Sequence, residues 1–252
     1  MIELPKHLYG NEHFIVKDKE GKELLLSVLR EEYPASPREW DNFGKMVCWH
    51  RRYDLGDKHE TRGDKEKFSD PQEFLRCLAS GKSPYQLEDE ENEWLNEYET
   101  DYPLYLKSNQ ELIDIITEDH VILPLYLYDH SGISMSVSKT YPYTDRWDAE
   151  QVGWIYVDKR TILDAIGDGV GGNWREAAEE LLKQEVKDYN YYLTGDVFEY
   201  RLLELNGDAV GKIVDGCGGF FEDSIHHGLS GYTVVRQVEL RKETKTFIQG
   251  TT

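Results

Sequence analysis

Val121-Ile122-Leu123-Pro124-Leu125-Tyr126-Leu127-Tyr128 runs directly into Asp129-His130-Ser131-Gly132 and then Ile133-Ser134-Met135-Ser136-Val137-Ser138. An apolar, aromatic-rich run, a turn-forming tetrad and a return in which Ile, Met and Val alternate with serine describe a β-hairpin with one buried face. Proline removes a ladder donor, so Pro124 puts the first strand at an edge or at a bulge. A chain built this way makes its sheet from hairpins, and antiparallel pairing is the expectation elsewhere too.

The pattern repeats outward. Residues 197–205 and 209–214 flank Asn206-Gly207-Asp208, and Asn-Gly suits the type I′ turn that joins antiparallel strands. Residues 152–157 and 232–240 have comparable β-branched and aromatic content. Near the N-terminus, 13–17, the turn Asp18-Lys19-Glu20-Gly21 and 23–30 read as strand, turn, strand, although 23–30 also fits a helix. Pro34 and Pro37 interrupt regular structure, and 46–50 is a short strand that turns away at Gly56-Asp57.

Helices fill the intervals: 71–79 behind Asp70 as N-cap and Pro71, 112–116 capped by Asn109, 159–166, and 174–191 capped by Asn173. In the last, Ala178, Leu181, Leu182 and Val186 line one side. Strands and helices do not alternate in βαβ order. The expected fold is therefore α+β, a mixed, mainly antiparallel sheet built from hairpins with several packed helices, in a single domain over 1–252. An acidic helical insert is expected near 87–102 and a mobile loop near 58–69.

Six Trp, 17 Tyr and 8 Phe supply the bulk for a core. The 49 acids outnumber the 29 bases, for a formal charge of -20. That balance weighs against broad contact with nucleic-acid phosphates and favours a basic partner surface. Cys48, Cys77 and Cys217 form no CxxC pair, and their odd number suits a reducing cytosol. No run approaches the ~20 apolar residues that span a bilayer, so a cytosolic protein without membrane contact is expected. No cofactor is implied, and nothing marks an oligomeric state.

The least ordinary chemistry lies in Trp49-His50-Arg51-Arg52-Tyr53-Asp54-Leu55-Gly56-Asp57. Guanidinium groups clamp carboxylate or phosphate and stack on aromatic faces, so Trp49, His50, Arg51, Arg52 and Tyr53 form a candidate ligand-binding set. Asp57 and His59, with Asp129 and His130, carry the side chains used in metal-assisted or general acid–base hydrolysis, though without HExxH, a nucleophile elbow or a P-loop. Gly167-Asp168-Gly169-Val170-Gly171-Gly172 joins two helices rather than following a strand, which argues against a phosphate cradle. Between Glu88 and Asp101 there are eight acids and no Lys or Arg. Glu88, Asp89, Glu90, Glu91, Glu93 and Glu97 are the candidate contacts with a protein partner.

At Trp49 to Asp57 and Leu123 to Ile133, with Gln151-Val152-Gly153-Trp154-Ile155-Tyr156-Val157 and Tyr192-Leu193-Thr194-Gly195-Asp196-Val197, the chain resembles a group of uncharacterised proteins of bacteriophages, archaeal viruses and mobile elements. The resemblance covers roughly residues 36–221 and implies genomic company rather than a mechanism. By analogy with small acidic proteins of such elements, the first expectation is a noncatalytic inhibitor of a host defence system that mimics nucleic acid on a basic protein surface. A metal-dependent nucleotide or phosphodiester hydrolase using Asp57, His59, Asp129 and His130 is the alternative. Beyond these stand capture of a nucleotide messenger by Trp49, Arg51, Arg52 and Tyr53, and a structural accessory protein in which Arg51, Asp129 and Asp196 make an internal polar network.

Overall fold

The computed structural model describes residues 4–5, 8–57, 68, 70–89, 104–138, 148–166, 173–207, 209–240 and 247–248. In chain order its elements are β1 (Asn11–Lys17), β2 (Glu23–Arg30), β3 (Lys45–Cys48), α1 (Pro71–Ser80), α2 (Asn109–Ile116), β4 (His120–Asp129), β5 (Ile133–Val137), β6 (Ala149–Asp158), α3 (Lys159–Ile166), α4 (Trp174–Thr194), β7 (Val197–Asn206), β8 (Ala209–Phe221), α5 (Ile225–Gly228), β9 (Thr233–Leu240) and β10 (Phe247–Ile248). Residues 84–89 are helical as well. The α+β class stands. The single domain expected from the sequence divides into two compact units, 1–37 with 190–252, and 38–189, because each unit buries the faces of its own antiparallel sheet. The glycine cluster 167–172, the loop residues 58–67 and 69, and 90–102 of the acidic insert lie outside the described residues. Among the described residues no helix is long and apolar enough to cross a membrane.

The first unit holds a sheet in the order β10-β9-β1-β2-β7-β8. Phe14, Val16, Leu24, Leu26, Val28, Phe198 and Leu202 face one side, where Ile225 of α5 and Leu229 cover them. Ile15, Leu25 and Val238 are buried on the other, beside Leu203, Leu205 and Leu240. Burial on both faces explains why Leu24-Leu25-Leu26 does not alternate with polar residues and why 23–30 also resembled a helix. At one edge, β8 has 13 residues, well beyond the expected 209–214. Its register against β7 shifts three times.

The second unit holds a sheet in the order β3-β6-β4-β5. β4 is an inner strand despite Pro124, and the alternative foreseen for that proline applies: the register shifts between Leu125 and Tyr126. α1 and α2 place Phe74, Leu75, Leu112 and Ile116 against Val47, Ile122 and Trp154. Asp70 caps α1 as expected, its carboxylate accepting from the Gln72 and Glu73 N–H groups at 2.8 and 2.9 Å. The cap of α2 is Ser108, one residue before the expected Asn109. Its backbone N–H donates to Glu111 at 2.8 Å and its hydroxyl accepts from the Glu111 N–H, a reciprocal capping box that outcompetes an asparagine one step along. Ala178, Leu182 and Val186 of α4 are buried with Trp174 and Tyr189, while Leu181 is half-buried. On the sheet side, Leu182 and Ile155 both come against the backbone of Gly44.

Candidate functional site

β3 and β4 each run antiparallel to β6, which lies between them. Their C-terminal ends and the N-terminus of β6 therefore share one end of the sheet. This geometry brings together the two sequence stretches of interest. Arg52 Nη2 pairs with Asp129 Oδ2, and the Tyr53 hydroxyl donates to Asp129 Oδ1 at 3.3 Å across 76 residues of sequence. From the start of β6, Glu150 Oε1 lies 3.4 Å from His50 Nε2, and from just before it Asp148 Oδ2 lies 3.0 Å from His130 Nδ1.

The five residues of the aromatic–arginine set divide. Trp49 belongs to the core, its ring 5.8 Å from Phe74 and 6.1 Å from Trp154, with Nε1 donating to the Phe68 carbonyl at 3.3 Å. His50 stacks on Tyr53 at 5.0 Å and keeps only 3% of its side chain exposed. Its Nδ1 accepts the backbone N–H groups of Arg52 and Tyr53 at 3.3 and 3.2 Å, so it pins the turn that carries them. Arg51 and Arg52 are exposed, and the Arg52 guanidinium sits 5.4 Å from the centre of the Tyr53 ring.

Accepting two N–H groups requires an unprotonated Nδ1. Burial holds the His50 pKa below its ordinary 6.5, with Glu150 pulling upward and Arg52 and Arg51 pushing further down. The unfolded chain therefore takes up a proton at this residue before the folded chain does, and stability contributed here falls as the pH drops through 6.5. In His50→Asn, which keeps an acceptor and loses the titration, denaturant midpoints across pH 7 to 5 should fall less steeply than in the wild type. An unchanged slope would mean that the imidazole does not couple to folding.

Of the hydrolase set, Asp57 and Asp129 are held in ion pairs within the chain. Arg38, with 4% of its side chain exposed, reaches Asp57 through Nε at 2.7 Å and Nη2 at 3.0 Å, Glu185 through Nη1 at 2.9 Å, and the Gly44 carbonyl through Nη2 at 2.7 Å. Burial alone would lower the guanidinium pKa, but Asp57 and Glu185 outweigh it and raise it. The Met46 N–H also donates to Asp57 Oδ2 at 2.8 Å. Both Asp57 oxygens are thus engaged, and those of Asp129 are held by Arg52 and Tyr53. His130 is exposed beside Asp148, and His59 lies outside the described residues. Among the described residues no group of three or more His, Cys, Asp and Glu side chains is placed to hold a metal ion. Cys48 is buried core, its thiol pushed up to about 12 by burial and by Asp57, against the pull of Arg38.

Of the residues expected in a polar network, Arg51, Asp129 and Asp196, the last two have pairs of their own. Arg52 takes Asp129, while Asp196 belongs to the first unit and pairs with Arg30 at 2.9 Å. Glu88 and Asp89 are exposed in the helical residues 84–89, and Glu90, Glu91, Glu93 and Glu97 lie outside the described residues. Arg38, Glu185, Asp148 and Glu150 belong to no motif in the sequence. Nothing local marks Arg38 as a partner of a carboxylate 147 residues away.

The fold and site define an α+β protein with two antiparallel sheets and an internally paired polar cluster at one sheet end. No family model, curated protein or solved structure matches the chain.

Proposed function

We propose that this chain is a noncatalytic interaction protein that binds a basic protein surface, with a nucleic-acid-binding component of a host defence system as its target. The observation that carries the reading is charge and its distribution. Of the 49 acids, 33 fall within residues 38–189 together with 18 of the 29 bases, so most of the net charge of -20 belongs to one compact unit. An excess of acids of this size attracts the same cationic grooves that bind nucleic-acid phosphates. Engagement of Asp57 by Arg38, and of Asp129 by Arg52 and Tyr53, favours binding over the hydrolase reading. The resemblance to proteins of phages, archaeal viruses and mobile elements supports a target in host defence.

The test is an affinity pull-down with tagged protein from host lysate, comparing the wild type with Glu88→Lys/Glu90→Lys/Glu91→Lys/Glu93→Lys. The expected result is one nucleic-acid-binding protein retained by the wild type, released by salt and lost in the variant. Retention of the same partner by both proteins would remove the acidic stretch from the interface. Hydrolysis of a nucleotide or phosphodiester by purified protein, abolished in His130→Ala, would replace the binding reading with the enzymatic one.

A further inference from the structure

Residues 50–54 form a short arc whose two ends are fastened independently. On one side the Trp49 N–H donates to the Val152 carbonyl at 2.7 Å, and the Trp49 ring packs against Phe74 and Trp154. On the other, Leu55 is buried, the Gly56 N–H donates to the Tyr189 hydroxyl at 3.0 Å, and the Asp57 N–H donates to the Met46 carbonyl at 2.8 Å. Between these anchors Arg51, Arg52 and Asp54 are exposed. The Arg52 and Tyr53 N–H groups converge on a single acceptor, His50 Nδ1, at 3.3 and 3.2 Å.

The imidazole here does what an Asn or Asp side chain does in an Asx turn, but unlike asparagine it can lose its acceptor. A neutral imidazole has one acceptor nitrogen, whereas an imidazolium has none, because both nitrogens then carry hydrogen. Proton uptake turns the shared acceptor into a third donor aimed at two others, and no reorientation of the ring restores it. The groups facing the ring pull in opposite senses. Burial leads in disfavouring the charge, and Arg51 and Arg52 on the arc add to it, while Glu150 at the start of β6 opposes them with Oε1 3.4 Å from Nε2. Glu150 is itself 65% exposed, so solvent screens its pull. Tyr53 stacks on the ring, and Asp129 of β4 meets the arc through Arg52 and Tyr53.

We infer that arc 50–54 is an acid-released latch: protonation of His50 removes the acceptor that shapes the turn, and Arg52 and Tyr53 then leave Asp129 while the sheet and both anchors hold. The device goes beyond the proposed binding of a basic surface and does not depend on it. Release is local because none of the anchoring bonds at 49, 56 and 57 involves His50. The closed arc requires a neutral imidazole, while the open arc leaves His50 at its ordinary 6.5. Closure is therefore fully supported above 6.5 and weakens about tenfold per pH unit as the pH falls from there toward the lower value of the closed arc. Its effect is on charge pattern. The mutually neutralised Arg52 and Asp129 become a separate cation and anion beside the exposed Arg51, so this end of the sheet presents a different surface in acid.

The test follows the isotope-labelled full chain by NMR from pH 7 to 5. At pH 7 the His50 ring should show an unprotonated Nδ1 and a protonated Nε2. On acidification, protection of the Arg52 and Tyr53 amides from solvent exchange should fall about tenfold per pH unit below 6.5, while amides of β4 and β6 keep theirs. In His50→Asn, whose side-chain oxygen can accept the same two N–H groups but does not titrate, the protection should stay level. A protonated Nδ1 at pH 7, or unchanged protection of the two amides in the wild type, overturns the latch without recourse to any variant. Loss of protection in the arc and the strands together overturns it as well, since that is unfolding of the whole unit. A loss of equal size in His50→Asn would assign the response to another group, such as Asp129, and sink the proposal.

Discussion

Arg38→Ala is expected to lower the stability of the 38–189 unit by about 3–5 kcal/mol. The substitution does more than delete favourable bonds. It leaves the Glu185 carboxylate, 12% exposed, and the Asp57 carboxylate, 30% exposed, facing each other's side of an empty space with the Gly44 carbonyl unpaired. A desolvated charge without its counter-charge costs far more than an absent surface pair, whose contribution is commonly about 0–1 kcal/mol. Arg38→Lys should fall between the wild type and alanine, because an ammonium keeps the charge but cannot span Asp57, Glu185 and Gly44 together. Urea unfolding monitored by tryptophan fluorescence reads the effect. A loss under about 1 kcal/mol for alanine would place the cluster among ordinary surface pairs.

Gly153→Val is the second large effect, expected at about 3 kcal/mol or more, at or beyond the upper range for overpacking. Gly153 pairs with Cys48 on one side and Leu125 on the other, in the strand that joins both halves of the site. A Cβ there would press into the Val47 carbonyl oxygen and lie 2.9 Å from Cys48 Cα. These are backbone atoms, so no rotamer relieves the overlap. β3 must move away from β6, which exposes Met46 and Val47 and withdraws Arg52 from Asp129. Gly207→Ala supplies the comparison. That residue has φ +64 and no neighbour within 4 Å of the added atom, so its cost is conformational alone, about 1 kcal/mol. Similar losses at the two positions would show that the close approach at Gly153 is relieved by small shifts.

Much of the architecture could be read locally because hairpins and caps are local. Asn206-Gly207 between two β-branched runs and Asp70-Pro71 before an apolar stripe each carry their signal within a few residues. β2 was ambiguous because burial on both faces erases the alternation that distinguishes strand from helix. The division into two units was hidden because the first is built from both chain ends, and composition does not reveal which apolar segments share a core. At the site, residue types in 49–57 and 129–130 drew attention, but their meeting depends on β6 lying between β3 and β4, a matter of strand order. The chemistry of Trp49 suits recognition, but the fold places its ring against Phe74 and Trp154.

The Arg38 cluster also sets an order of assembly. Asp57 is 19 residues from Arg38 in the chain and is available early, but Glu185 is 147 residues away and arrives only after α4 has been synthesised and docked. Until then the Phe43 and Gly44 N–H groups lack their acceptor. A truncated or half-folded chain thus cannot hold the backbone at Phe43 and Gly44 in its final form. That pinned backbone then certifies that the 38–189 unit is complete, because the helix bearing Glu185 is the last that the unit receives.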